Sequence, residues 1–236
     1  MRALVDLFTS QGGVLRQSET VEEILTRPGL DRARARGVRL RGGAEIPADI
    51  VISNADVGFT YRHLLPESAR QKYNNQRVER MRYSMGLFVA YFGTAAKYDD
   101  CVHHTILLGP RYKGLLDDIF TNKQLAQDFS LYLHMPTTTD SSIAPAGHEN
   151  FYVLSPVPHL GSKTDWKQAA KPYRDSIIKF LEQNYLPDLE SNIVAEHHID
   201  PLHFQNKLNS HLGAAFSIQP ILMQSAWFRP HNQAED

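Results

Sequence analysis

Apolar residues recur at steps of three and four between positions 165 and 185, and this is the clearest secondary-structure signal in the chain. The positions are Trp166, Ala170, Tyr173, Ile177, Leu181 and Tyr185. Such spacing places one apolar stripe along an α-helix. Pro187 is expected to end the helix, because proline cannot continue it. The pattern therefore predicts a long amphipathic helix that packs on a core.

Shorter apolar runs bounded by turn residues predict strands. These runs are residues 84–93, 104–108, 130–135, 151–157 and 193–199. Helical patterns are predicted at residues 64–82, 112–129 and 201–209, and the apolar stretch 214–228 is left without a predicted state. Strands and helices that alternate in this way are typical of an α/β or α+β domain with an apolar pocket.

The first quarter of the chain has its own pattern. Residues 3–10 predict a helix that stops at Gly12 and Gly13 and has no capping residue before it, as if an element had been cut. Residues 14–25 suit a strand pair or a strand plus a turn, and residues 33–40 and 46–53 predict the arms of a hairpin. The continuous run Ile50-Val51-Ile52 predicts a strand covered on both faces.

Composition excludes several classes of protein. With 42% hydrophobic and 22% charged residues the chain is globular, and 25 basic against 26 acidic side chains leave no field that recruits nucleic acid. Cys101 is the only cysteine, which excludes a disulfide framework and suits a reducing cytoplasm. The first residues lack the apolar region of a signal peptide, and no apolar run is long enough to cross a bilayer.

Standard catalytic and metal-binding motifs are absent. There is no dinucleotide-binding glycine fingerprint, phosphate-binding loop or nucleophile elbow. The polar cluster around Asp140 predicts a turn. The sequence contains 11 histidines, and those that are close in sequence lack metal-ligand spacing: His103 and His104, and His197, His198 and His203. These are interpreted as surface or packing residues, and His134 and His159 as hydrogen-bonded core or pocket residues, so no metal site is predicted.

One charge run stands out, and it has two interpretations. It contains Arg32, Arg34, Arg36, Arg39 and Arg41. A solvated edge that discourages sheet aggregation is favoured. The alternative is contact with anionic lipid headgroups, where each basic residue adds about 1 kcal/mol.

A set of short segments, in order along nearly the whole chain, points to a family. They are Ser53-Asn54-Ala55-Asp56, Thr60-Tyr61-Arg62, Leu64-Leu65, Leu87-Phe88-Val89, Tyr91-Phe92-Gly93, His103-His104-Thr105, Gly109-Pro110-Arg111-Tyr112, residues 128–134, Thr139-Asp140-Ser141-Ser142, residues 156–161 and residues 224–232. Together they resemble the bacterial-type phytoene desaturases, FAD flavoproteins of carotenoid synthesis with an amine-oxidase-like fold.

The resemblance implies an architecture. Residues 1–56 would be a portion of a Rossmann-like FAD-binding domain, residues 57–211 a substrate domain with a mixed sheet, and residues 212–236 a segment that returns to the FAD domain. The chain would be a central to late fragment without the two terminal FAD-binding segments, and would hold FAD weakly or not at all. Val21, Asn54 and Ala55 match positions that contact the cofactor in similar enzymes, and no catalytic residue is assigned.

The resemblance also implies partners and a mechanism. Phytoene and partly desaturated carotenes would be the substrates, and FAD would carry the redox equivalents. A hydrocarbon without a polar handle needs an apolar tunnel. The expected lining residues are Phe88, Tyr91, Phe92, Tyr132, Phe216 and Trp227, each with core packing as an equal alternative. The enzyme would be cytoplasmic and would dock on the membrane surface through residues 212–228 or the arginines. A homo-oligomer is left open.

Two functional hypotheses follow. The first is FAD-dependent desaturation of phytoene toward lycopene, with this chain as a fragment that is inactive alone. The second is a non-catalytic lipid-binding or interaction module on the same fold.

Overall fold

The protein is described here by a computed structural model that covers residues 2–30 and 32–230. Its helices are α1 (Arg2–Ser10), α2 (Val57–Phe59), α3 (Asn75–Arg80), α4 (Tyr112–Asp117), α5 (Trp166–Asn184), α6 (Leu189–Asn192) and α7 (Pro201–Leu208). Its strands are β1 (Val21–Arg27), β2 (Arg34–Leu40), β3 (Glu45–Pro47), β4 (Gly86–Thr94), β5 (His104–Leu107), β6 (Leu131–His134), β7 (Glu149–Val157) and β8 (Ile193–Ile199). Two π-helical turns, Thr60–Leu64 and Asp118–Asn122, continue α2 and α4.

The described residues divide into two compact units. The first contains residues 2–54 and 59–80, and the second contains residues 55–58 and 81–230. This division is made by contacts within the chain, so it does not test the cofactor and substrate roles predicted for residues 1–56, 57–211 and 212–236, which stay predictions.

The first unit is built on a small antiparallel sheet in the order β1-β2-β3. Ile24 and Leu25 of β1 are buried, and β1 packs against the π-helical turn Thr60–Leu64. The predicted hairpin turn forms between β2 and β3, where Gly42 and Gly43 have φ values of +94° and +90° that favour glycine. Of the two predicted alternatives for residues 14–25, the strand pair is wrong, since residues 14–20 lie outside any strand and a single strand, β1, begins at Val21.

The second unit is built on a five-stranded sheet in the order β5-β6-β7-β4-β8. All four strand pairs are antiparallel, so the predicted mixed sheet is wrong in this respect. The reason is topological. β7 and β8 run parallel and are connected through α5, but β4 lies between them and pairs with both.

One face of this sheet carries the core. Phe88, Phe151 and Val153 are buried against α5, which contributes Trp166 and Ile177 at 1% and 0% exposure. The helix begins where the side chain of Asp165 accepts a hydrogen bond of 3.1 Å from the Lys167 N–H. The prediction of this helix is confirmed to within one residue at each end.

The structure overturns three local predictions. The run Ile50-Val51-Ile52 is not a strand, and Ile50 and Ile52 are 79% and 90% exposed, because no strand among the described residues pairs with it. Residues 64–82 form only the short α3 and a turn. Residues 112–129 are helical only as far as Asn122, after which Lys123 takes a left-handed conformation that ends the helix.

The end of the described chain consists of short turns. Single 3₁₀ turns occupy His211–Gly213, Leu222–Gln224 and Ala226–Phe228. His231 and Asn232, which belong to the resemblance noted above, lie outside the described residues. In the described part of the chain, no helix has both the length and the apolar character that a bilayer crossing requires.

Candidate functional site

The face of the five-stranded sheet opposite α5 carries a row of aromatic and imidazole rings, one from each strand. Strand register places them directly beside one another across the whole sheet. From β5 to β8 the row is His104, His134, Tyr152, Tyr91 and His197. Five side chains of this kind on one line form a continuous polar-aromatic surface, which we call the ring row.

Contacts along the ring row are close. The Tyr152 ring lies 4.6 Å from the His134 ring and 6.0 Å from the Tyr91 ring, measured between centroids. Tyr132, two residues before His134, adds an edge-to-face contact with Tyr152 at 5.6 Å. These distances fall in the range of favourable aromatic pairs, so the rings support one another.

A second row lies beside the ring row, two residues away from it on every strand, and it is mostly apolar. It contains Ile106, Tyr132, Leu154, Val89 and Ile199, again one residue from each strand. Ile106 is 64% exposed at the β5 edge, whereas Val89 in the centre is 5% exposed. The apolar row thus lies beside the ring row on this face, and its exposure is high at the β5 edge and low at the centre.

Burial affects the ionisation of two groups in the ring row. Burial, together with the neighbouring phenols of Tyr132 and Tyr91, raises the pKa of Tyr152 to about 12. Burial and the nearby His103 and His104 lower the pKa of His134 below its usual value. Tyr152 is therefore uncharged at neutral pH, and protonation of His134 is disfavoured.

The predicted cofactor contacts lie in different settings. Val21 is half-buried at the start of β1, opposite Leu40 of β2. Asn54 and Ala55 are exposed and lie outside any strand, after the exposed run that had been predicted as a buried strand. The structure does not test whether these residues touch a flavin, and their assignment stays a prediction.

The six predicted lining residues do not share one surface. Tyr91 and Tyr132 lie on the open face, in the rows described above. Phe88 and Phe92 lie on the core face, where Phe88 meets Trp166 at 5.9 Å and Tyr173 at 5.2 Å between centroids. Phe216 and Trp227 are 59% and 78% exposed near the end of the described chain.

Sequence reasoning missed the ring row as a unit. His134 had been interpreted as a core or pocket residue, and Tyr152 had not been singled out. The alternation of β7, in which Phe151, Val153 and Ser155 are buried while Tyr152 and Leu154 are less so, was a usable signal. The cross-strand register that aligns five residues from distant parts of the chain was not visible in the sequence.

Among the described residues, one group could hold a metal ion. His103, His104 and His134 each offer a ring nitrogen, and these atoms all lie within 4.8 Å of one another. The described residues do not contain a strand, glycine-rich turn and helix that would cradle a dinucleotide, since α1 is followed and not preceded by Gly12 and Gly13.

Comparison with known proteins gives a consistent set of relatives. No family model matches the chain. It is 45% identical over 240 residues to a neurosporene-forming phytoene desaturase of Rhodobacter capsulatus, covering 99% of this chain and 45% of that protein. It is 46% identical to a lycopene-forming phytoene desaturase of Pseudescherichia vulneris, covering 100% and 47%. A zeta-carotene-forming phytoene desaturase of Myxococcus xanthus is 36% identical, covering 98% and 44%.

Solved structures agree at the level of the fold. An oxidoreductase from Methanosarcina mazei matches with a TM-score of 0.56 at 18% identity, covering 84% of this chain and 41% of that one. The PF1083 protein from Pyrococcus furiosus matches with a TM-score of 0.52 at 15% identity, covering 83% and 40%. The chain spans a little under half the length of the curated relatives it matches. The resemblance seen in the sequence is thus confirmed, and the chain is similar to bacterial phytoene desaturases along nearly all of its own length.

Proposed function

We propose that this chain forms the substrate-binding sheet of a phytoene desaturase, which converts phytoene toward lycopene in carotenoid biosynthesis. The observation that carries the proposal is 45–46% identity to phytoene desaturases along 99–100% of the chain. The open face of the five-stranded sheet supplies a surface of the required chemistry.

The apolar row is suited to a hydrocarbon. Because a carotene has no polar group, its binding free energy comes from buried apolar area, at about 25 cal/mol per Å². Five strands spaced about 4.8 Å apart give a wall about 19 Å wide. We propose that Tyr91 and Tyr132 line the substrate site together with Tyr152, while Phe88 and Phe92 support the wall from the core side.

Tyr152 contributes to this wall by remaining uncharged. A phenolate beside the apolar row would oppose binding of a hydrocarbon, because a charge must be desolvated when the substrate covers it. A pKa near 12 keeps the proton on the phenol throughout the physiological range. The ring row then offers only neutral aromatic surface at its centre.

FAD is proposed as the cofactor of the whole protein. FAD, when bound, accepts the hydride equivalent that desaturation removes from the substrate. The residues described here do not themselves form a cradle for its pyrophosphate, so no step is assigned to it. Val21, Asn54 and Ala55 are proposed as the contacts that this chain adds.

The membrane surface is proposed as the source of the substrate. Leu222, Met223 and Trp227 are 79%, 63% and 78% exposed, and apolar side chains of this kind insert into the interface of a bilayer. The arginine alternative is weaker. Arg36, Arg39 and Arg41 are paired with Glu45, Glu23 and Glu22 across the small sheet, which neutralises their charge. A peripheral, cytoplasmic location follows from this proposal.

A chimera tests the proposal. The matching segment of the Rhodobacter capsulatus relative is replaced by this chain, and the purified protein is given phytoene in lipid vesicles. We expect bound flavin and coloured polyene products, measured by absorbance and chromatography. The unmodified relative is the positive control.

Two results would contradict the proposal. A chimera that holds flavin but leaves phytoene unchanged would favour the non-catalytic lipid-binding module. A chimera that does not fold would show that the segment is not equivalent to the one it replaces.

A further inference from the structure

Three histidines from two neighbouring strands meet at one edge of the open face. His104 of β5 lies directly opposite His134 of β6. His103 precedes β5 at a bend, and its carbonyl accepts a hydrogen bond of 3.0 Å from the Met135 N–H. This bond holds His103 beside the end of β6, so two residues adjacent in sequence lie near the same partner.

The ring nitrogens of this cluster lie close together. His103 Nε2 and His134 Nε2 are 2.9 Å apart, and all three histidines offer a nitrogen within 4.8 Å of the others. In a tetrahedral Zn²⁺ site with Zn–N distances of about 2.0–2.1 Å, ligand nitrogens lie about 3.3 Å apart. The three nitrogens, now within 4.8 Å of one another, would have to converge to that spacing by rotation of the rings, including the His104 ring that is stacked on His134.

Two of the histidine rings contact a hydroxyl group through Nδ1, the ring nitrogen on the side of the Cβ atom. Thr139 Oγ1 is within hydrogen-bond distance of His103 Nδ1, and the Tyr132 hydroxyl is 2.6 Å from His104 Nδ1. In metal sites, the ligand imidazole commonly hydrogen-bonds through its second nitrogen in this way, which fixes the ring and its tautomer. Here both contacts engage Nδ1, and Nε2 of His103 is the nitrogen that meets His134.

We propose that His103, His104 and His134 form a binding site for a divalent transition-metal ion of the Zn²⁺ class. Three neutral imidazoles suit Zn²⁺, Co²⁺, Ni²⁺ and Cu²⁺ and do not suit Mg²⁺ or Ca²⁺. With three protein ligands, a fourth position is left for water. This inference departs from the prediction of no metal site, in which His103 and His104 were interpreted as surface or packing residues and His134 as a core or pocket residue. Its argument does not use the proposed function, although the cluster lies at the β5–β6 edge of the same face and shares Tyr132 with the proposed substrate wall.

Calorimetry with the purified, tag-free chain tests the site directly. We expect one equivalent of Zn²⁺ to bind, Co²⁺ to give the visible absorption of a tetrahedral complex, and Mg²⁺ to give no signal. His104→Gln and His103→Gln should each weaken Zn²⁺ binding at least tenfold. Tyr132→Phe should weaken it about tenfold, because it removes only the supporting hydroxyl.

The matched control is His197→Gln. His197 is also exposed, lies on the same face and belongs to the other edge strand, so its loss should leave Zn²⁺ affinity unchanged. Circular dichroism confirms that each variant is folded. Absence of Zn²⁺ binding by the wild-type chain, or equal weakening by His197→Gln and His104→Gln, would overturn the proposal.

Discussion

Gly213 shows how a single residue fixes the chain after α7. It is buried with a φ of +62°, and a Cβ atom built on it would lie 2.2 Å from the carbonyl oxygen of Pro201. Gly147 also has a positive φ, of +79°, but nothing lies within 4 Å of its Cβ position. The two glycines therefore separate the effect of backbone conformation from that of close packing.

We predict that Gly147→Ala lowers the free energy of unfolding by about 1 kcal/mol, because alanine disfavours a left-handed conformation. Gly213→Ala should lower it by about 3 kcal/mol or more, because the clash with Pro201 is added. Chemical denaturation of the two variants measures the difference. Equal losses would show that the approach to Pro201 is not a constraint.

Edge strands are the elements where the open face can be tested without disturbing the core. Ile106 of β5 is 64% exposed and belongs to the apolar row, whereas Val194 of β8 is 60% exposed and lies outside both rows. A lysine at either position remains solvated in the free protein, so neither change should affect stability.

In the chimeric enzyme, we predict that Ile106→Lys lowers kcat/KM for phytoene at least tenfold, because substrate binding would desolvate the ammonium group. Val194→Lys should leave it within about twofold. Initial rates of polyene formation provide the measurement. The two variants are compared after their melting temperatures have been shown to be equal. If the Ile106→Lys enzyme kept its activity, the apolar row would not be part of the substrate site.

An element could be predicted when the residues that determine it are close together in the sequence. α5 was predicted because Trp166, Ile177 and Leu181 repeat at helical spacing and are all buried in the structure. The run Ile50-Val51-Ile52 was predicted as a strand from its continuous apolar pattern. Strand formation needs a partner, and the described residues provide none. Likewise, Tyr91 and Phe92 are neighbours in sequence but lie on opposite faces, so their roles could not be separated before the sheet was known.

At the scale of the whole molecule, the side chain of His159 links stability to pH. His159 is half-buried, and its Nδ1 accepts a hydrogen bond of 2.9 Å from the Gly161 N–H. Burial, with smaller contributions from Lys123 and His211, lowers the pKa of His159 from 6.5 to about 4. Between these two values, the unfolded chain binds a proton that the folded chain does not.

The free energy of unfolding should therefore fall as pH decreases from about 6.5 to 4, by roughly 1–2 kcal/mol from this group, because its partial exposure lets solvent screen part of the effect. In His159→Asn, which keeps an acceptor for Gly161, that part of the decrease should disappear. Urea denaturation at a series of pH values measures the difference, and identical profiles for His159→Asn and wild type would contradict the assignment.

The family resemblance could be recognised from the sequence without a structure. It was carried by many short segments in the same order, and the relatives confirm it. The histidine cluster could not be found in the same way. His103 and His134 are 31 positions apart, and only strand pairing brings them within hydrogen-bond distance.

The central place of β4 has a consequence during protein synthesis. This strand pairs with β7 and β8, and both are encoded well downstream of it. At translation rates of about 5–20 residues per second, β4 leaves the ribosome several seconds before either partner exists. During that interval Leu87, Phe88 and Phe92 have no sheet to join. The nascent chain should therefore be a client of ribosome-associated chaperones, and its yield in a heterologous host should rise when these are supplied.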